Sequence, residues 1–192
     1  ILSGAGGKSF VSGADISKFD SERGSKEAID HYNARIKIVY NIIENFAKPT
    51  IAMINGYCIG GGLNLAACTD FRIVSDKSQF GMPAAKLALG YPFDAVKRLI
   101  NAIGPAEARM LMFTAKRIDA STALRLGFVQ DVVAEDELES RVMNVAEMIA
   151  QNAPLTLAAM KYISTQAMKT QPDNDRLRKC DDMVAACFAS DD

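Results

Sequence analysis

The chain has 192 residues, 49% of them hydrophobic and 23% charged, with a formal net charge of −1. That composition suits a soluble globular protein, and the length allows one domain with a full core or two small ones. The near-neutral charge gives no footprint for nucleic acid or an anionic membrane, and no stretch approaches the ~20 apolar residues of a membrane span.

In chain order, Ile1-Leu2-Ser3-Gly4 reads as the end of a buried strand and a turn. Ile1 is not an initiating methionine, so the natural chain is expected to begin further upstream; no signal or transit segment is visible. Residues 4–13 are rich in Gly and Ser and read as a loop. Residues 25–46 place Ile29, Tyr32, Ile36, Val39, Tyr40 and Ile43 at helical spacing, and Lys48-Pro49 ends the run. Residues 50–55 form a short buried strand closed by Gly56. Gly60-Gly61-Gly62 leads into a small, apolar helix over 63–68, and 71–75 is a further strand.

From Asp94 onward the pattern is mostly helical. Gly104-Pro105 starts one helix, and Asp119 caps another that stops at Gly127. Residues 129–133 suggest a short strand, and helices follow over 136–151, 154–169 and 174–188. The helical pattern breaks off abruptly at the end, so further chain is expected downstream. This order predicts an α/β core over 1–133 and a helical region over 134–192.

The four cysteines lack zinc-ligand spacing, and Cys180 and Cys187 fall on one face of an expected helix. Reduced thiols, a cytoplasmic setting and no metal are the expectation. The only histidine, His31, sits among polar neighbours, and no nucleophile–histidine arrangement can be argued. Met110, Met112, Met143 and Met148 fall at helical spacings and are expected in the core.

Chemistry concentrates in two segments, Lys8 to Ile16 and Asn55 to Gly62. Glycines let a ligand approach main-chain N–H groups, and a helix start gathers unpaired N–H groups at one point. That geometry suits a phosphate or a developing oxyanion. The alternative is that the glycines only allow a helix to pack close on a sheet. Neither a dinucleotide nor a P-loop spacing is present.

Phe10-Val11-Ser12-Gly13-Ala14-Asp15, Lys48-Pro49-Thr50-Ile51-Ala52-Met53-Ile54-Asn55-Gly56 and Gly60-Gly61-Gly62, in that order, resemble the enoyl-CoA hydratase/isomerase (crotonase) family. Leu65-Ala66, Asp70, Phe80-Gly81, Pro83, Phe113-Thr114-Ala115, Ala123, Leu126-Gly127 and Val132-Val133 continue the match over essentially the whole chain. The resemblance implies a crotonase spiral of ββα units followed by helices that pack on the core and on neighbouring subunits. It also implies a homotrimer or hexamer. The implied partner is an acyl-CoA, with coenzyme A entering as part of the thioester substrate rather than as a cofactor.

The resemblance further implies an oxyanion hole made by the amides of Ala14 and Gly61. Such a donor, aimed where charge develops, lowers a barrier by ~3–4 kcal/mol. Ser12, Ala14, Asp15 and Ile16 would hold the CoA adenine through backbone groups. Lys8 either meets a CoA phosphate or is simply solvated.

The chain departs from the family's hydratases at both of their glutamate positions, which here are Asn64 and Ala84. Neither ionises near working pH, so two-glutamate hydration is not expected there. Asn64 either hydrogen-bonds a water or substrate group, or packs near a helix start. Tyr91 corresponds in position to a tyrosine of a family member, methylmalonyl-CoA decarboxylase. It either orients a leaving carboxylate or is an aromatic wall residue. Asp94 is either a replacement base or a helix cap. Lys86, Lys97 and Arg98 read as surface or structural charges. Three functions stay open: a hydratase/isomerase-like lyase, a malonyl-type acyl-CoA decarboxylase, and a non-catalytic acyl-CoA-binding homologue.

Overall fold

The computed structural model describes residues 1–13, 15, 25–87, 89–168 and 173–189, the last three by backbone alone. The first elements are β1 (Leu2–Ser3), β2 (Ser9–Val11) and α1 (Lys26–Glu44). A second turn of the same kind follows: β3 (Ile51–Ile54), β4 (Tyr57–Ile59) and α2 (Gly61–Ala67). Next come β5 (Phe71–Ser75), β6 (Gln79–Gly81), a 3₁₀ turn (Pro83–Leu87), α3 (Phe93–Ile103) and α4 (Pro105–Thr114). The chain continues through β7 (Ile118–Asp119), α5 (Ala120–Arg125), β8 (Asp131–Val133) and a second 3₁₀ turn (Glu135–Glu137). It ends with α6 (Leu138–Ala150), α7 (Pro154–Ala167) and α8 (Asn174–Ala189).

Successive pairs of strands deal one strand to each of two sheets, in the orders β1-β3-β5-β8 and β2-β4-β6-β7. All pairings are parallel except β6 with β7. Leu2 lies beside Ala52, Ala52 beside Arg72, and Ile73 beside Asp131. In the second sheet Cys58 lies beside Phe80, and Phe80 beside Ile118. This is the spiral of ββα units followed by helices that the resemblance implied.

Side-chain alternation explains where the core sits. In β4, Cys58 is fully buried while Tyr57 is exposed. Ile51, Ala52 and Ile54 of β3 are all buried, as in a parallel strand covered on both faces. Phe10, Ile54, Cys58, Leu63, Val74 and Phe80 join Leu99 and Phe128 in one cluster. The Phe80 and Phe128 rings meet edge to face at 5.7 Å.

Of the described residues, one compact unit comprises Ile1–Glu44 and Thr50–Val142; a second comprises Asn45–Pro49 and the chain from Met143 onward. In the second unit the Lys161 ammonium donates to the Lys48 carbonyl at 3.0 Å, and Lys179 lies over the Tyr162 ring. Ala159, Gln166 and Cys180 are buried. Among the described residues no helix is long and apolar enough to cross a membrane.

Three local expectations are corrected. Residues 4–13 are not all loop, because Ser9–Val11 pairs with β4. Tyr57–Ile59, inside the glycine-rich segment, is a strand. Met110, Met143 and Met148 are exposed, and only Met112 of the four packs against the core. Helical spacing defines a face, but it does not say which face is covered.

Candidate active site around the glycine turn

The turn from β4 into α2 explains two of its three glycines sterically. Gly60 has φ 59°, a left-handed conformation that L side chains rarely adopt. Its N–H donates to the Gly81 carbonyl at 2.8 Å, and its carbonyl accepts from the Asn64 N–H at 3.2 Å. A Cβ at Gly62 would fall far inside contact with the Val11 carbonyl, so β2 can approach only a glycine there. Gly61 is different. A Cβ there would meet only the Tyr40 hydroxyl, at an ordinary 3.8 Å. The close-packing reading therefore holds for Gly62, Gly60 is required by its left-handed backbone, and Gly61 is neither crowded nor strained. As a first-turn residue, Gly61 also has an N–H that the helix itself cannot bond.

Asn64 lies one helical turn beyond Gly60 and is buried. It sits in a polar cluster drawn from three helices. The Asn64 Oδ1 accepts from Nη1 of Arg98 at 3.4 Å. Arg98 grips Glu44 in a two-point ion pair, Nε to Oε1 and Nη2 to Oε2, the latter at 3.0 Å. Its guanidinium also lies over the Tyr40 ring at 5.2 Å. The Tyr40 hydroxyl donates to the Gly61 carbonyl at 3.4 Å.

Burial pushes the Tyr40 hydroxyl above its usual pKa, so Tyr40 keeps its proton. Burial opposes the charge on Arg98, but the hydrogen bonds and charge of Glu44 outweigh it and hold Arg98 more basic than usual. The Cys68 thiol donates to the Asn64 carbonyl at 3.2 Å, and burial raises its pKa to about 12.

Reading the sequence places Arg98 among surface or structural charges; the structure gives it a specific structural partner set. Glu44, Arg98 and Tyr40 are cluster members that sequence reading misses. They lie 21 to 54 residues from these hydrogen-bond partners, too far apart for any local spacing to link them.

Of the other candidates, Tyr91 stands beside this turn. The Tyr91 side chain packs against the core, and its hydroxyl lies 3.5 Å from where a Cβ of Gly60 would stand. Ala84 is half-buried in the 3₁₀ turn and packs against the same core. Asp94 lies in the first turn of α3, exposed, while Pro92 occupies the N-cap position without a side-chain bond. Lys8, Ser12 and Asp15 are exposed. Ala14 and Ile16 lie outside the described residues. His31 is exposed on α1.

A cavity of about 490 Å³ opens where β4 and β6 end. Ile59, Gly81 and Met82 line it, together with Lys86, Lys116 and Arg117. No Asp or Glu is among its lining residues. Among the described residues, no cluster of three or more His, Cys, Asp or Glu could hold a metal ion.

Comparison with known proteins defines the class. The enoyl-CoA hydratase/isomerase family profile matches residues 1–192. A crotonyl-CoA hydratase of Syntrophomonas wolfei is 37% identical over 193 residues, covering 100% of this chain and 73% of the relative. A short-chain-enoyl-CoA hydratase of Clostridium acetobutylicum is 35% identical over 100% of this chain and 72% of its own. Among solved structures, an enoyl-CoA hydratase/isomerase family protein from Hyphomonas neptunium superposes with a TM-score of 0.92. It is 29% identical and covers 99% of this chain and 72% of that one. The chain belongs to the enoyl-CoA hydratase/isomerase family, and its two-sheet architecture is the crotonase fold.

Proposed function

We propose that the protein processes acyl-CoA thioesters through an enolate whose oxygen is held by the backbone amides of Ala14 and Gly61. The observation that supports this reading is the place of Gly61 in the first turn of α2, where its N–H has no helical acceptor, beside a Gly60 turn that is itself fixed by β6. A donor that is already aimed when charge develops needs no reorganisation, which is the source of its effect on the barrier. Lys8, Ser12, Asp15 and Ile16 belong to the loop that would receive the CoA nucleotide. The assembly is a homotrimer or hexamer formed with the help of the helices from residue 134 onward, in a cytoplasmic setting.

The acid–base groups are not the two glutamates of hydratases, because Asn64 and Ala84 stand at those positions. Residues 87–94 would line the acyl end of the pocket by analogy with the family, and Asp94, their only carboxylate, is the first candidate base. The test is the absorbance of crotonyl-CoA mixed with full-length protein in water. Loss of the enoyl-thioester band with formation of 3-hydroxybutyryl-CoA establishes hydration, and Asp94→Asn should then abolish it. A protein that binds no CoA ester at millimolar concentration sinks the proposal.

A second reading is decarboxylation of a malonyl-type acyl-CoA. Two observations favour it: the Tyr91 hydroxyl stands beside Gly60, and the adjoining cavity carries three cations and no lining carboxylate. Decarboxylation leaves the electron pair in the enolate and needs no strong base. Decarboxylation that is unchanged in Tyr91→Phe removes the role given to that hydroxyl. Tight CoA-ester binding without turnover of any substrate class would instead favour a non-catalytic binding protein.

A further inference from the structure

We propose that the cavity lined by Lys86, Lys116 and Arg117 is a carboxylate subsite, and that the protein selects acyl-CoA thioesters whose acyl group carries a second carboxylate. The proposal rests on the acyl-thioester reading above and deepens it, because it names the substrate class and the side chains that choose it.

The cavity lies wholly within the first compact unit, next to the glycine turn. Ile59 in its wall directly precedes Gly60, and Pro83 directly precedes Ala84. Gly81 belongs to both places: it lines the cavity, and its carbonyl holds the Gly60 N–H at 2.8 Å. An acyl chain bound at the turn therefore has this space beside it. At about 490 Å³ the space falls in the size range of small-molecule pockets. Its wall is mixed. Ile59, Met82, Pro83 and Ala115 offer apolar contact to a hydrocarbon chain, and the three cations offer donors to an anion.

The charge there is uncompensated. No Asp or Glu lines the cavity, and among the described residues no ion pair joins Lys86, Lys116 or Arg117 to a carboxylate. All three are exposed, so each alone would attract an anion only weakly. Three like charges around one concavity add their fields. Strand pairing gathers them: with Phe80 beside Ile118, Arg117 comes alongside Gly81, its Cγ 3.4 Å from where a Cβ of Gly81 would stand. The Arg117 guanidinium lies over the Tyr57 ring at 5.3 Å, an attraction to the ring face that consumes no N–H donor. The chain leaves α4 for this segment through Ala115, with φ 49° the single non-glycine among the described residues in the left-handed region. Such backbone strain gathers at ligand sites. A CoA phosphate, also an oxyanion, would satisfy the same cations. The apolar half of the wall favours the acyl carboxylate, because a phosphate gains nothing from Ile59 or Met82.

The test compares Kd values of CoA esters on the full-length protein at low ionic strength. Glutaryl-CoA is paired with its neutral isostere 5-methylhexanoyl-CoA, and malonyl-CoA with isovaleryl-CoA. Wild type is expected to bind the carboxylated member of at least one pair roughly tenfold more tightly. The combined variant Lys86→Gln, Lys116→Gln, Arg117→Gln should lose that preference and hold the neutral esters within about threefold of their wild-type Kd. Wild type that binds CoA esters without preference in either pair overturns the subsite and leaves the acyl-thioester reading standing. A preference that survives the three substitutions overturns it too. Wild type that binds no ester overturns the acyl-thioester reading, and the subsite falls with it. If the variant weakens free CoA as much as glutaryl-CoA, the cations meet the nucleotide phosphates and the acyl assignment is overturned. If the triple variant loses its cooperative melt, Lys86→Gln with Lys116→Gln, which leaves Arg117 on Tyr57, decides by the same comparison.

Discussion

Cys68 shows how far burial at this site changes a single residue. Its thiol is buried and tied to the Asn64 carbonyl, and desolvation raises its pKa from the usual 9.0 to about 12. Cys58, deeper in the core, is pushed up further by the same cause. Both thiols are therefore poor nucleophiles, since the thiolate is the reactive form. The effect on stability has a definite sign. Between pH 9 and about 12 the unfolded chain loses the thiol proton while the folded chain keeps it. Folding stability is complete below the lower value and falls as pH rises, by about 1.4 kcal/mol per pH unit per thiol. The melting temperature is thus expected to drop as pH rises from about 9 toward about 12, and Cys68→Ala should flatten part of that drop. Identical slopes for Cys68→Ala and wild type would refute the assignment.

At the scale of elements, α2 is a short helix held at both ends by other parts of the spiral. Its C-terminal end is gripped by Arg72, whose buried guanidinium donates to the carbonyls of Ala66 at 3.2 Å, Thr69 at 2.8 Å and Phe128. Burial lowers the Arg72 pKa to about 10, still far above neutral, so the charge persists. Its N-terminal end depends on Gly62 lying against β2. Gly62→Ala forces its Cβ into the Val11 carbonyl, so backbone must move, and a loss of about 3 kcal/mol or more is expected. Gly90→Ala is the control, because a Cβ there meets nothing within 4 Å. It should lie within about ±1 kcal/mol of wild type. Urea unfolding of the two variants measures both, and equal midpoints would refute the close-approach argument. Longer elements were legible in the sequence: 25–46 against Lys26–Glu44, and 71–75 as observed. The strands Tyr57–Ile59 and Gln79–Gly81 were not, because three residues carry no readable period. The glycine turn was legible as an anion site or a packing device, and the structure shows the packing role at Gly62. The Tyr40–Asn64–Arg98–Glu44 cluster was illegible, because each link joins a different helix and only the fold brings them together.

For the whole molecule, the remaining question is what covers the apolar surface. The outer stripe of α1 exposes Ile38 and Ile42 at 58% and 60%, with Val39 beside them. Met110 and Phe113 on α4 are more exposed still. Single exposed apolar residues need no explanation, but stripes at helical spacing mark a contact surface more often than a solvated one. The resemblance supplies an occupant, a second and third copy of the chain, and assembly would bury these groups at about 25 cal/mol per Å² of apolar surface. Light scattering of the full-length protein at micromolar concentration is therefore expected to give three or six protomer masses. Ile38→Lys combined with Ile42→Lys places two charges on the α1 stripe and should shift that distribution toward the protomer. A protomer mass for wild type would refute assembly. An unshifted mass in the double variant would exclude the α1 stripe as the contact and direct the next substitutions to Met110 and Phe113.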